Sequence, residues 1–167
     1  MSKKAGKHPH GGTPALVALD TAGVEHTVHP YDHDPSSDLG YGLEAAQAIG
    51  VDPSHVFKTL MAAADGELVV AVVPVDRSLD LKALAHETGH KKMTMAEQQV
   101  AERATGYVVG GISPLGQRHT HRTVVDASAL DLETVYVSGG RRGLDVGLAP
   151  ADLVRLTGAT TASVARD

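Results

Sequence analysis

Two apolar runs, residues 56–64 and 67–75, are separated only by Asp65-Gly66. That dipeptide tolerates the positive φ angles of a tight hairpin, so the two runs are expected to pair as antiparallel strands. The second run, Glu67 to Val75, is almost continuously apolar. A strand without a polar face is expected to be covered on both sides. Sheet and cover must therefore come from the rest of the chain.

Local punctuation places the other elements. Thr13-Pro14 reads as an N-cap followed by proline at the first helical position. Ala15, Leu16 and Leu19 give that helix its apolar face, and Gly23 closes it. A strand is expected from His26 to Tyr31, and a short helix from Leu43 to Ile49, closed by Gly50. A helix over 79–88 should end at Gly89. A short strand follows over 92–95, then a helix over 96–104 ended by Gly106. Strands are expected near 107–109, 122–125, 134–138 and 144–148. A last helix covers 151–157, and a short strand near 162–164 closes the chain. The strands cluster and do not alternate with helices. That pattern points to an α+β fold with a mixed, strongly curved sheet, not a doubly wound parallel one.

The chain has 167 residues, a length that suits one domain. Residues 1–12 are polar and basic and read as a disordered tail, leaving 13–167 as the domain. Aromatic content is only 3%, so the core must be built from Val, Leu, Ala and Ile. The same shortage removes the stacking platforms that single-strand nucleic-acid binders use. With no cysteine there is no disulfide, no thiolate metal ligand and no Cys nucleophile. No apolar run approaches the ~20 residues of a membrane span, and a soluble cytoplasmic protein is expected. The net charge of −5 argues against broad, non-specific nucleic-acid binding. Local basic clusters such as Lys91-Lys92, Arg118 with Arg122, and Arg141-Arg142 permit a contact on one face.

Several motifs carry potential chemistry. In Gly106 to Gly116 a short apolar strand, Tyr107 to Val109, is expected to run into Gly110-Gly111 and a Ser-Pro turn. Tyr136-Val137-Ser138 runs similarly into Gly139-Gly140. Glycines at such points let a ligand approach main-chain N–H groups, so the two loops could wall one pocket. Two tight turns would give the same pattern. Neither loop has the G-x-S-x-G order of a nucleophile elbow.

His86-Glu87-Thr88-Gly89-His90 matches H-E-x-x-H. Gly89 falls inside the motif and Lys91-Lys92 follows, so the helix is expected to end there and release His90. Nothing downstream offers a clear third ligand. His29, His33, Asp32 and Asp34 form a second cluster, and His119 with His121 a third. Both read as surface histidines of a His-rich chain. Lys58 shares a strand face with Val56, Leu60 and Ala62. It could guard an edge strand or project into a pocket as a fixed cation, and spacing alone leans toward the edge.

Taken in order, several segments resemble one family. They are Thr13-Pro14-Ala15, Tyr31-Asp32-His33-Asp34-Pro35, Phe57-Lys58-Thr59-Leu60, Leu79-Asp80-Leu81-Lys82, Lys91-Lys92-Met93, Thr105-Gly106-Tyr107, Gly110 to Gly116, and Tyr136 to Asp145. The chain resembles the YbaK/EbsC family of aminoacyl-tRNA deacylases over about 13–167. The resemblance implies a mixed, barrel-like curved sheet with peripheral helices, related to the editing domain of bacterial prolyl-tRNA synthetases. It implies hydrolysis of the ester joining a wrong amino acid to the tRNA 3′ end, with Cys-tRNA(Pro), and also Cys-tRNA(Cys), as expected substrates. No cofactor and no metal is implied.

The family's essential lysine falls on Lys58. A pocket tyrosine falls on Tyr31, the opening glycine of the Gly-Gly-Ile-Ser loop on Gly110 beside Gly111, a serine on Ser138 beside Gly139, and an aspartate on Asp145. Tyr31, Lys58, Gly110, Ser138 and Asp145 are then expected to line one cavity. The family's usual K-R-G reads Arg141-Arg142-Gly143 here. Expected partners are the acceptor end of aminoacyl-tRNA and prolyl-tRNA synthetase. An Ala-tRNA(Pro)-type deacylase and a non-catalytic aminoacyl-tRNA or synthetase-binding module are the rival readings.

Overall fold

A computed structural model describes residues 12–34, 36 and 39–167. The tail expected over 1–12 lies, apart from Gly12, outside them. The chain opens with helix α1 (Pro14–Ala22), where the Thr13 hydroxyl accepts from the Leu16 N–H and Gly23 ends the helix at φ 66°. Strand β1 (His26–Pro30) and helix α2 (Tyr41–Ile49) follow. Next come β2 (Phe57–Ala64) and β3 (Glu67–Pro74). They pair antiparallel through the turn at Asp65 (φ 51°) and Gly66 (φ 80°), as the sequence required.

Beyond the hairpin lie β4 (Ser78–Leu79), α3 (Leu81–Thr88), β5 (Thr94–Met95) and α4 (Gln98–Thr105). The third helix starts two residues later than expected. Asp80 caps it by accepting from the Ala83 N–H, which leaves Leu79 in a strand. The chain continues through β6 (Arg122–Asp126), β7 (Val135–Arg141) and β8 (Leu144–Leu148). It ends with α5 (Pro150–Thr157), β9 (Thr160–Ala162) and β10 (Ala165–Arg166). Two short strands thus flank the position expected for one.

The strands form a mixed five-stranded sheet in the order β9-β6-β3-β2-β5, an antiparallel three-stranded sheet β1-β8-β7, and the small pair β10-β4. The two larger sheets meet at a single parallel bridge, Val56 to Tyr136. Among the described residues the strands close no barrel. The reason lies at β2, whose outer side pairs with β5 only at Ala62 and Ala63. The Ala96 N–H also donates to the Met61 carbonyl at 2.9 Å, so the open edge is the stretch 57–60.

Strand β3 sits at the centre and is buried on both faces, as its composition demanded. Val70 and Val72 face the main core together with Leu16, Leu19, Val137, Leu144 and Val146. Val69, Ala71 and Val73 face a second cluster, with Leu84 and Ala85 from α3. A third, small cluster of Ala45, Ala46 and Val56 seats α2, with Tyr31 and Tyr136 packed against it.

Asp126 fastens the chain's end to this frame. It is buried, and one carboxylate oxygen accepts from the Val164 and Ala165 N–H groups, both at 2.9 Å. The other accepts from the N–H and hydroxyl of Ser128. Asp126→Ala would strand these donors and is expected to cost roughly 2–4 kcal/mol. Urea unfolding should show a lower midpoint at unchanged slope.

Candidate functional site

Two expected loops turn out differently. Residues 107–109 form no strand. Gly106 caps α4 in the left-handed conformation, and the Gly111 N–H bonds back to the Val108 carbonyl at 2.8 Å. The Val109 N–H is taken by Glu102 of α4 at 2.8 Å. These bonds curl the segment into turns in place of a strand.

Gly139 and Gly140 are not a loop either. They lie inside β7, where the register against β8 shifts between Ser138 and Arg141. Their missing Cβ atoms make room for neighbours. One on Gly139 would stand 2.9 Å from Leu144, and one on Gly140 2.9 Å from Thr13. The Thr13 hydroxyl donates to the Gly139 carbonyl at 2.6 Å, tying the start of α1 to this strand.

The open edge of β2, the start of α2, the start of α4 and the Gly110 turn enclose a cavity of about 410 Å³. That volume suits a small-molecule site. Tyr31, Lys58, Gly110, Ser138 and Asp145 all line it. Gly111 and Gly139 do not. Gly111 is buried behind the wall, where a Cβ would meet the Arg141 backbone at 2.7 Å.

Register explains much of the convergence. Asp145 pairs with His29 on one side and with Ser138 on the other, so the three occupy one row across the three-stranded sheet. The Val56 to Tyr136 bridge brings Lys58 to the same row. Tyr31 is held there by its N–H, which donates to the Gly143 carbonyl at 2.8 Å. Met61, Ala96, Ala101 and Ile112 give the cavity an apolar section.

The electrostatics are unusual at three residues. Asp145 is 6% exposed, and burial pushes its carboxyl up to about 7. Burial also lowers the Lys58 ammonium below its ordinary range, partly offset by the charge of Asp76. No carboxylate oxygen lies within 4 Å of that ammonium among the described residues. Its charge remains available to a ligand. Tyr31 is pushed above the ordinary phenol range by burial first and then by Asp145, so it stays a neutral hydroxyl.

Among the described residues the site holds no nucleophile–base pair, and no histidine lines the cavity. The Ser138 hydroxyl accepts from the Gly140 N–H at 3.1 Å. His29 turns to Thr27 at 2.8 Å and packs edge-on against Tyr136. Asp145 stands between Ser138 and His29 in the row, the wrong order for a histidine to deprotonate the serine. Ser113 is fully buried and stabilises its own turn, accepting from the Leu115 N–H.

The histidine motifs resolve individually. Helix α3 ends at Thr88, and His90 leaves it to bond Asp65 at 3.1 Å and Glu67 at 2.7 Å. His33 donates to Glu44 at 2.7 Å. His121 bonds Gln117 at 3.1 Å. Among the described residues no three metal-ligating side chains converge.

Other cavity residues carried no sequence signal of their own. Tyr41 and Gly42 enter because α2 begins at the cavity mouth. Thr59 lies on the opposite face of β2 from Lys58, yet both reach the cavity. Strand alternation separates two faces of a sheet, but this cavity abuts an edge and takes residues from both. The Thr59 Oγ1 is the one buried side-chain polar atom without a hydrogen-bond partner among the described residues.

Known proteins resemble this chain in sequence and fold. The model of the aminoacyl-tRNA editing domain matches residues 42–156. EbsC of Enterococcus faecalis, named as a candidate Cys-tRNA(Pro)/Cys-tRNA(Cys) deacylase, is 36% identical over 135 residues, covering 80% of this chain and 82% of its own. A proline–tRNA ligase of Geobacter metallireducens is 33% identical over 101 residues, which is 60% of this chain but 17% of the ligase. A solved structure described as a candidate trans-editing enzyme for prolyl-tRNA synthetase superimposes with a TM-score of 0.79 at 24% identity, covering 92% of this chain and 96% of that one. The chain belongs to the aminoacyl-tRNA editing-domain family, the family of YbaK and EbsC.

Proposed function

We propose that residues 13–167 act as one unit that deacylates mischarged tRNA in trans, with Cys-tRNA(Pro) as the substrate and Cys-tRNA(Cys) as a second one. The observation that carries this reading is the meeting of Lys58, Tyr31, Ser138, Asp145 and the Gly110 turn on one cavity. Family membership supports the substrate class.

A cavity without a nucleophile–base pair suits chemistry in which the substrate supplies the attacking group. The cysteinyl thiol loses its proton and attacks its own ester carbonyl. The new C–S bond forms, the C–O bond to the ribose breaks, and the ribose oxygen takes up a proton. A cysteine thiolactone leaves and hydrolyses in water. The protein orients the acyl chain and stabilises the oxyanion. Lys58 faces that oxygen or the terminal ribose, and main-chain N–H groups near Gly110 share the charge. Asp145, with Ser138, holds the α-ammonium, and the neutral Tyr31 hydroxyl shapes the pocket.

A cytoplasmic setting and a complex with prolyl-tRNA synthetase complete the reading, since a chain of net charge −5 gains tRNA selection from a partner. The test is a panel of mischarged tRNAs with and without that synthetase. Cys-tRNA(Pro) is expected to be hydrolysed at least ~10-fold faster than Ser-tRNA(Pro), the thiol being the better nucleophile. Equal rates would exclude thiol assistance. Faster loss of alanine than cysteine would move the chain to the Ala-tRNA(Pro) type.

A further inference from the structure

The turn between β7 and β8 sets a guanidinium against the cavity wall from outside. Arg142 donates from Nε to the Val109 carbonyl at 2.9 Å. Its guanidinium carbon lies 5.2 Å from the centre of the Tyr41 ring. Val109 and Tyr41 both line the cavity. Gly110 is caught between them, at φ 92°. A Cβ there would stand 2.6 Å from the Tyr41 ring and 3.0 Å from Arg142 Nε.

One edge and one face of the guanidinium are thus held by protein. Its two terminal nitrogens have no protein partner among the described residues, and the side chain is exposed. A planar cation fixed in this way loses little freedom when it binds a phosphate through that remaining edge.

The charge of Arg142 is also left without a protein counter-ion among the described residues. Arg77, Arg122 and Arg155 each have a carboxylate partner within 4 Å. Arg141 and Arg142, like Arg103, Arg118 and Arg166, have none among the described residues, and of these Arg142 is bonded to a residue that lines the cavity. Glu44, on the same helix as Tyr41, is already engaged by the His33 ring and the Asp34 N–H.

We infer that Arg142, assisted by Arg141, anchors the 5′-phosphate of the nucleotide whose aminoacyl ester occupies the cavity. The inference rests on the aminoacyl-tRNA reading above. The ester and the 5′-phosphate sit at opposite ends of one ribose. With the acyl group inside the cavity the phosphate lies outside it, and Arg142 is a cation held on the outer side, against Val109 and Tyr41. The acidic remainder of the surface repels the nucleic acid, which makes a local cation at the entrance more selective for a correctly placed end.

The rival explanation is that Arg142 is only a strut for the Gly110 turn. Calorimetry with two hydrolysis-resistant probes separates them: 3′-deoxy-3′-cysteinylamido-adenosine, and the same compound with a 5′-phosphate. For the native protein the phosphate should tighten binding roughly 10- to 30-fold in low salt, the scale of a charge-assisted contact. The gain should shrink as salt is raised. In Arg142→Ala the ratio between the probes should fall to within ~3-fold, and Arg142→Lys should restore part of it. A strut would weaken both probes together and leave the ratio unchanged, overturning the inference. So would a native protein indifferent to the phosphate while still hydrolysing aminoacyl-tRNA. Failure to bind either probe, with no hydrolysis of any aminoacyl-tRNA, would instead bring down the functional reading itself, and the anchor with it.

Discussion

Lys58→Ala is expected to slow deacylation of Cys-tRNA(Pro) by roughly 10²–10³-fold, the loss seen when one group aimed at a developing oxyanion is removed. Lys58 stands on the unpaired edge of β2, half-buried, with no carboxylate oxygen within 4 Å among the described residues. Its lowered pKa shows the cost of keeping it there. An incoming ester oxygen or ribose hydroxyl relieves that cost, and the oxyanion relieves more of it than the ground state does. On this reading Lys58→Ala should lower kcat and not only weaken binding. Lys58→Arg keeps the charge but replaces a compact ammonium by a planar fork, so only partial activity is expected. Single-turnover rates on Cys-tRNA(Pro) measure the effect. A thermal melt serves as the control, because removing a desolvated cation should leave stability unchanged or slightly raised. A near-native rate for Lys58→Ala would remove lysine from the mechanism.

Asp145→Asn should do two opposite things: abolish at least ~99% of the activity and stabilise the fold above neutral pH. Burial raises the folded-state pKa of Asp145 to about 7 from 3.8. The native state thus holds this proton more tightly than the unfolded chain. Stability contributed by the protonated group is fully present below about pH 4 and is lost as pH rises through about 7. Above pH 7 the carboxylate is charged at full desolvation cost, up to about 4 kcal/mol as an upper bound. The neutral amide of the variant would carry no such charge. Melts at pH 8 should therefore show the variant more stable than the native protein, and melts at pH 4 should show the two alike. Equal stability at both pH values would contradict a carboxyl whose pKa is raised by burial.

The same residue shapes the pH profile of the native enzyme. The α-ammonium of a bound substrate favours the carboxylate, so kcat/KM should rise through about 7 as Asp145 ionises. It should fall again as the substrate's own amine loses its proton near ~8. A bell centred slightly above neutrality is the expected outcome.

Local chemistry alone marked much of the frame. Thr13-Pro14 and Gly23 bound α1 where they were expected to, because a cap and a left-handed glycine act within a few residues. Asp65-Gly66 made the central hairpin for the same reason. The two glycine pairs were read less well. Gly110 does sit on a cavity, but behind a turn and not a strand, since Glu102 of the preceding helix claims the Val109 N–H. Gly139 and Gly140 exist to admit Leu144 and Thr13. A side chain from the start of the chain that fills the space of a missing Cβ at Gly140, as Thr13 does, leaves no trace in local spacing.

Lys58 shows the division most clearly. Its strand could be read from the sequence, and so could its two possible uses, guarding an edge or facing a pocket. The fold joins the two, because the cavity is built against the edge itself, where β5 pairs only with the far end of β2. Caps, turns and hydrophobic runs are short-range, so the sequence by itself determined most of the elements, though not the turns at 107–109, and the buried centre of the sheet. Bringing Tyr31, Lys58, Gly110, Ser138 and Asp145 to one cavity depends on strand register and on a single bridge between two sheets. Those are pairings between distant segments, and only the packed tertiary structure decides them.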